Sequence, residues 1–209
     1  MKIVIQKTIV ALKHNGFTVK YVRNPEEALE ILDKMLIEIS PHKIAFADSM
    51  TADAMGVFNI IRGRYSSANL VDTLEKEITW SEQIRRWKLA LQADLFITGT
   101  NAVTTSGQLV NLDMIGNRIG GISFGPKKVV LFIGRNKLVD TLDGAMKRVK
   151  RIAPRNAARH PELNLPCVYT GTCVECSSPR RICNTWSIVE KSLPKGRITI
   201  ILIDEDLGL

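Results

Sequence analysis

The sequence predicts a layered α/β protein with a mostly parallel sheet, and three observations carry that expectation. The runs Asp94–Thr98, Lys128–Ile133 and Arg197–Ile203 are apolar and β-branched, with the length of strands buried on both faces. Helical patterns lie between strand patterns, which is the alternation that builds a parallel sheet through crossover helices. From Ala153 to Lys195 the texture changes: Pro154, Pro161, Pro166, Pro179 and Pro194 share this stretch with all four cysteines, and apolar periodicity is weak.

Taken in order, Lys2–Asn15 is a mixed apolar and basic run ending at Gly16, a helix with a glycine just past its end. Phe17–Arg23 alternates like a strand. Asn24-Pro25-Glu26-Glu27 is a helix start: an asparagine cap, proline in the first turn, and carboxylates at the positive end of the dipole. That helix should reach about Ser40 and stop before Pro41. Lys43–Ala47 and Asn69–Asp72 follow as short strands, Ser81–Gln92 as a helix, then the three apolar strands, with a helix over Thr141–Arg151 after the second of them. No repeat or low-complexity tract interrupts the pattern.

A chain of 209 residues that is 45% hydrophobic can bury an ordinary core. The organisation expected is one domain over 1–209, in which 153–195 is an irregular appendage and strand 197–203 returns to the sheet. The appendage lacks material for its own core, so metal or packing on the main domain must hold it. No segment has the roughly 18 uninterrupted apolar residues of a membrane span, and Met1–Lys20 lacks a signal-peptide pattern, so the protein is expected in the cytoplasm.

The net charge of +8 is uneven: Lys147–Arg197 holds eleven Lys and Arg against three acids, and the signs balance elsewhere. The excess is either a solvated basic face or an attractor for an anionic partner. Nucleic acid is the least favoured such partner, because only Tyr169 and Trp186 supply aromatic rings for stacking.

Cys167, Cys173, Cys176 and Cys183 fall within 17 residues, and none precedes them. Reduced thiols at C-x5-C-x2-C-x6-C point to metal, since the central C-x2-C lets two thiolates reach one ion from a tight turn. Four sulfurs suit an iron–sulfur cluster or zinc, and the spacing matches neither a zinc ribbon nor the bacterial ferredoxin run. Arg180, Arg181, Arg155, Arg159 and Lys150 lie near enough in sequence to offset thiolate charge.

A second constellation, Ile97–Asn111, follows a strand and is rich in glycine, hydroxyl and amide side chains. Gly99, Thr100, Asn101, Thr104, Gly107 and Asn111 either cradle a small anion beyond a strand end or form a polar hairpin with Ser106-Gly107 as its turn. Ser49 and Thr51 are a helix cap or a ligand loop. Asn117-Arg118, and Asn136 and Lys137 in Gly134–Lys137, orient an anion or make surface salt bridges. Asp204-Glu205-Asp206 is a base, a cation site or a solvated end. No hydrolytic triad is visible: His14, His42 and His160 sit in no nucleophile motif.

From residue 93 onward these motifs occur in an order that resembles the LUD-domain (lactate-utilisation protein) family. They comprise Ala93–Val103, Gly107–Asp113, Gly116-Asn117-Arg118, Phe124–Lys128, Gly134–Lys137, Ala153–Ala157, Pro166-Cys167, Thr170–Cys173, Ser178–Asn184 and Glu205–Leu209, with weaker likeness at Asn15-Gly16 and Ser49–Thr51. The resemblance implies a three-layer α/β/α fold of the ribose-phosphate isomerase and CoA-transferase type. It also implies work beside iron–sulfur oxidoreductase subunits in oxidising lactate to pyruvate. One departure is that Ile44–Asp48 lacks the glycines relatives tend to carry, which should hinder close backbone approach to a ligand at Ser49 and Thr51.

The readings that follow are an accessory protein of lactate oxidation with a four-cysteine iron–sulfur site, or an isomerase- or transferase-type enzyme for a small anion with the cysteines as a zinc clip. No residue set in the sequence specifies a bond-making step.

Overall fold

The computed structural model describes residues 2–209. Helix α1 (Lys2–His14) buries Ile5, Thr8, Ile9 and Leu12, a stripe at helical spacing, and the chain then turns into strand β1 (Thr18–Val22). Helix α2 (Pro25–Ile39) starts as its sequence prescribes, with Asn24 Oδ1 accepting from the Glu27 N–H at 2.9 Å. The chain continues through β2 (Ile44–Phe46), α3 (Met50–Ala54), α4 (Val57–Arg64), β3 (Leu70–Asp72), α5 (Trp80–Ala90) and β4 (Leu95–Thr98). After these come β5 (Ala102–Thr104), β6 (Leu109–Asp113), α6 (Asn117–Ser123), β7 (Lys128–Gly134), a 3-10 turn at Arg135–Lys137 and β8 (Leu138–Val139). Helices α7 (Leu142–Ala157) and α8 (Pro166–Thr170) and strands β9 (Thr185–Val189) and β10 (Ile198–Ile203) complete it.

Six strands form a sheet in the order β1-β10-β7-β4-β2-β3, every pair parallel. Side chains of a strand alternate between faces, so an unbroken apolar run needs an apolar layer on each side. Val129, Leu131 and Ile133 of β7 join one core with residues of α1, α5 and α6; Val130 and Phe132 join another with residues of α2, α3 and α4. The result is the three-layer α/β/α arrangement. The final strand is inserted between β1 and β7, so the central register is set only when the last residues are in place.

A second sheet, β8-β5-β6-β9, sits beyond the ends of the first, and α7 packs on it through Ala145 and Val149. Two features depart from the expectation for 153–195. Helix α7 runs past Arg151 and through Pro154, because its apolar face continues to Ala157, which packs on Leu165 and Cys167. Thr185–Val189 is a strand paired antiparallel with β6, so this stretch is anchored by a ladder as well as by side chains. Among the described residues no helix is long and apolar enough to cross a membrane.

Candidate functional site

The parallel strands β2, β4 and β7 release their loops at one edge of the main sheet, where open α/β sheets take ligands. Thr98 Oγ1 at the end of β4 donates to the Asp48 carbonyl at 3.2 Å and so ties two of these exits together. Gly99 follows, packed under Ser49. A Cβ at Gly99 would stand 2.6 Å from Ser49 Oγ, so only glycine lets the two loops approach this closely. Ser49 Oγ also accepts from the Ala52 N–H at 3.3 Å as the cap of α3, and its side chain still lines the cleft.

The next two residues are fixed from behind. Asn111, buried on β6, uses Oδ1 to accept from Thr100 Oγ1 (3.0 Å) and the Asn101 N–H (3.3 Å), while its Nδ2 has no partner among the described residues. Asn101 Oδ1 in turn accepts from the Leu112 N–H at 3.0 Å and from Arg118 Nη2 at 2.6 Å. Arg118 also donates from Nε (3.0 Å) and Nη2 (2.6 Å) to Asp113 Oδ1. Arg118 thus makes a salt bridge, as weighed for it, but a half-buried one, with 13% of its side chain exposed.

Lys137 enters from the turn after β7. It is 6% exposed, and its Nζ donates to the main-chain oxygen of Leu209 at 2.6 Å. No aspartate or glutamate pairs with it among the described residues. Burial pushes its ammonium down to about 7, and the neighbouring charges of Arg148 and Arg118 add to the effect. Arg148 is itself buried. Its Nη1 and Nε donate to the Asn101 and Asn136 carbonyls at 2.6 and 3.0 Å, and the desolvation brings it to about 10.

Ser49, Gly99, Thr100, Asn101, Arg118 and Lys137 line one cleft of about 80 Å³. One water needs roughly 10–15 Å³ of such space, so the cleft is the size for several waters or one small organic acid. It shares Asn101, Leu112, Arg118, Asn156 and Ile182 with a wider groove that opens outward past Trp80 and Trp87. At the rim of this groove, Arg159 grips Asp48 with two bonds of 2.7 and 2.9 Å.

The far wall of the cleft is α7 and the cysteine segment, with Cys167, Cys176 and Cys183 on its lining. All four cysteines are free thiols. Burial pushes the Cys167 thiol up, and the nearby Cys176, Cys183 and Cys173 push it further, so the four lie within electrostatic range. Arg181 holds the segment, donating from Nε to the Cys183 carbonyl and from Nη1 to the Cys176 carbonyl, each at 2.9 Å. Lys150 reaches Glu175 between them at 2.7 Å. Among the described residues no three His, Cys, Asp or Glu side chains are set to hold a metal ion. The donor chemistry fits a sulfur-ligated metal; the spacing, as folded, is looser than ligation needs.

The structure thus divides the candidate ligand residues into three groups. Ser49, Gly99, Thr100, Asn101 and Lys137 come together on the cleft. Thr51, Asn111 and Asn136 stand behind it. Thr51 Oγ1 donates to the Leu207 carbonyl at 3.1 Å, and Asn136 Oδ1 accepts from the Leu207 N–H at 3.3 Å, so both hold the C-terminal segment in place. Thr104 and Gly107 are elsewhere. Thr104 closes the β5–β6 hairpin by accepting from the Gln108 N–H at 3.0 Å, and Gly107, at φ +82°, rests on α1, where a Cβ would meet the Ala11 and Leu12 backbone at 2.9 Å. The tract after β4 therefore forms the polar hairpin beyond residue 101, and residues 99–101 line the cleft.

Asp204 and Asp206 pair with Arg135 at 3.3 and 2.9 Å and do not line the cleft. Arg148 was not legible as a site residue within a helix full of cations. Its one signal was its place on the buried face with Ala145, Val149 and Ile152.

The fold is similar to the crystal structure of a DUF162 family protein from Deinococcus radiodurans, at 15% identity over 97% of each chain and a TM-score of 0.51. No curated protein matches the chain. The model of the family described as LUD domain matches residues 5–203, nearly all of the two-sheet framework and the whole cleft except Leu209. The chain belongs to the LUD-domain family.

Proposed function

We propose that this LUD-domain chain is an accessory protein of lactate utilisation, taking part in the oxidation of lactate or a related organic acid, with the acid in the cleft and an iron–sulfur cluster on the cysteines beside it. One observation carries the reading: a single cleft has cationic and amide groups on one wall and three thiols on the other.

The acid side follows from donors on the cleft that have no protein acceptor. Arg118 Nη1 and Asn101 Nδ2 make no hydrogen bond among the described residues, and no aspartate or glutamate pairs with Lys137. A small carboxylate would accept from these donors. Thr100 and Asn101 are held by Asn111 and so keep their geometry before any ligand arrives. The apolar side chains Val149 and Ile152 limit water on the opposite side. On the sulfur side, Cys167, Cys173, Cys176 and Cys183 would hold the cluster, which would supply one-electron acceptance. Ligation requires residues 171–183 to draw the thiols inward, and Arg181, bonded to carbonyls rather than to the sulfurs, leaves the thiols free to do so. Val174 and Tyr169, both exposed near these cysteines, offer contact area to an iron–sulfur oxidoreductase partner.

Anaerobic purification with visible absorbance and iron, sulfide and zinc analysis tests this, comparing the native chain with Cys173→Ser/Cys176→Ser. The expected result is cysteine-dependent brown colour with iron and sulfide, and calorimetric binding of lactate or pyruvate that Arg118→Met abolishes. The buried amine of Lys137 favours a second reading, an isomerase- or transferase-type enzyme with the cysteines as a zinc clip. Stoichiometric zinc without colour would establish that one instead, and neither metal would remove the cluster from both readings.

A further inference from the structure

We propose that the wide groove beside the cleft is a nucleotide site, which takes an adenosine diphosphate group with its base on Trp80. The assignment does not rest on what the cleft or the cysteines hold.

Helix α5 provides the ring platform. Trp80, Gln83 and Trp87 recur at helical spacing and so share one face, the pattern by which a helix ordinarily packs on a core. Here that face lines a groove of about 990 Å³, at the upper end of the roughly 300–1,000 Å³ of small-molecule sites. Ala90 is the only buried residue of α5, and Trp80 is 58% exposed. The two indoles meet edge to face, with centroids 5.5 Å apart and planes at 85°, so Trp87 steadies Trp80 and still leaves it open to the groove. An exposed, propped indole beside a cavity is a stacking surface for a flat base.

The polar groups choose the base and what it carries. Gln83 Nε2 donates to the Thr73 carbonyl at 2.7 Å, which fixes the amide and leaves Oε1 without a partner among the described residues. An acceptor held there suits the exocyclic amine of adenine and opposes the carbonyl of hypoxanthine. Among the charged groups of the groove, Asp48, Asp113 and Glu162 lie against Arg159, Arg118 and His160, and Arg62 is paired with Asp72. Lys76 and Asp53 make no ion pair or side-chain hydrogen bond among the described residues. A lysine free for phosphate and a carboxylate free for a ribose diol are the two charges that a nucleotide uses. The inner end of the groove is Asn101 and Arg118, shared with the cleft, so the second half of a dinucleotide would lie toward the cleft while its adenine stays at Trp80.

The test is calorimetric titration of the native chain with ADP, inosine diphosphate, NAD+ and pyrophosphate, repeated on Trp80→Ala, Trp80→Phe and Lys76→Ala. The expected result is one ADP per chain, bound about tenfold more weakly by Trp80→Ala and largely restored by Trp80→Phe, with inosine diphosphate about tenfold weaker than ADP on the native chain. Lys76→Ala should weaken ADP and flatten its salt dependence. NAD+ tighter than ADP supports the site with a second nucleoside at its inner end, and NAD+ weaker than ADP supports it as a mononucleotide site. Both substituted side chains are exposed, so the variants keep the core, and the comparison of ADP with inosine diphosphate needs no variant at all. Absence of ADP binding, equal ADP affinity in the native and Trp80→Ala chains, or pyrophosphate bound as tightly as ADP would each overturn the assignment and leave the reading of the acid cleft intact.

Discussion

Replacing Lys137 by methionine keeps the length of the side chain and removes its titration, and the consequence can be worked from the structure. An unfolded lysine holds its proton up to its ordinary value of 10.5, whereas the folded Lys137 releases it near about 7. Between those limits unfolding takes up a proton, so stability rises with pH by about 1.4 kcal/mol per unit at most. From about pH 7 to about pH 9 this integrates to roughly 2 kcal/mol, and below about pH 6 the contribution is flat because both states are protonated. Urea unfolding at fixed ionic strength, run from about pH 6 to about pH 9, measures it. The native-minus-variant difference isolates Lys137, since every other group is common to both proteins. The native chain should gain about 2 kcal/mol relative to Lys137→Met over that range. Parallel curves would show that the ammonium persists in the fold, which would refute the argument that burial and two guanidinium groups deprotonate it.

Gly99→Ala should destabilise by about 1–3 kcal/mol through the clash with Ser49 Oγ, and Ser49→Ala in the same chain should restore part of the loss, both read as denaturation midpoints. Gly107→Ala, strained at φ +82° and crowded against α1, should cost about 2–4 kcal/mol yet leave pyruvate binding in the remaining folded protein unchanged by calorimetry, since the hairpin turn is not part of the cleft. Asn111→Ala removes the acceptor that fixes Thr100 and Asn101 and should cost about 1–3 kcal/mol and weaken carboxylate affinity together. Asp48→Asn, at a pair whose side chains are 33% and 47% exposed, should change stability by less than about 1 kcal/mol, and salt should shrink the effect.

The strands of the main sheet were readable because burial on both faces leaves no polar position to blur the pattern, as in Lys128–Ile133 and Arg197–Ile203. The start of α2 was readable because Asn24, Pro25 and the two glutamates each act within one turn of the cap. What escaped depended on distant contacts. Helices α3 and α4 are short and follow a capping serine that had a second reading, and β9 exists only because β6 offers it an edge. The cleft draws on 49–50, 99–101, 118, 137, 176, 181–183 and 209 among others, positions that no local pattern joins. Lys137 was visible as a cation near a strand end. That it is buried, with no aspartate or glutamate beside it, is a property of the fold around it.

The basic excess of the last third has a physical use that charge counting could not distinguish from a solvated face. Arg148, Arg180, Arg181 and Arg197 all donate to main-chain carbonyls, and Arg159 pairs with Asp48 across the groove. Irregular backbone leaves carbonyls without ladder partners, and guanidinium groups satisfy several of them at once. The cysteine segment is held this way because its own apolar cluster is small: Ala157, Leu165 and Cys167, with Leu163 and Ile182 against them. A segment tethered by a few polar bonds near its surface reorganises at lower cost than a packed core does. Four thiols that lie within electrostatic range of one another, yet are not gathered for ligation, would need that freedom to hold the proposed metal. Metal binding should therefore order residues 171–183 and leave the parallel sheet unmoved, which amide hydrogen exchange with and without iron or zinc would read directly as protection confined to that segment.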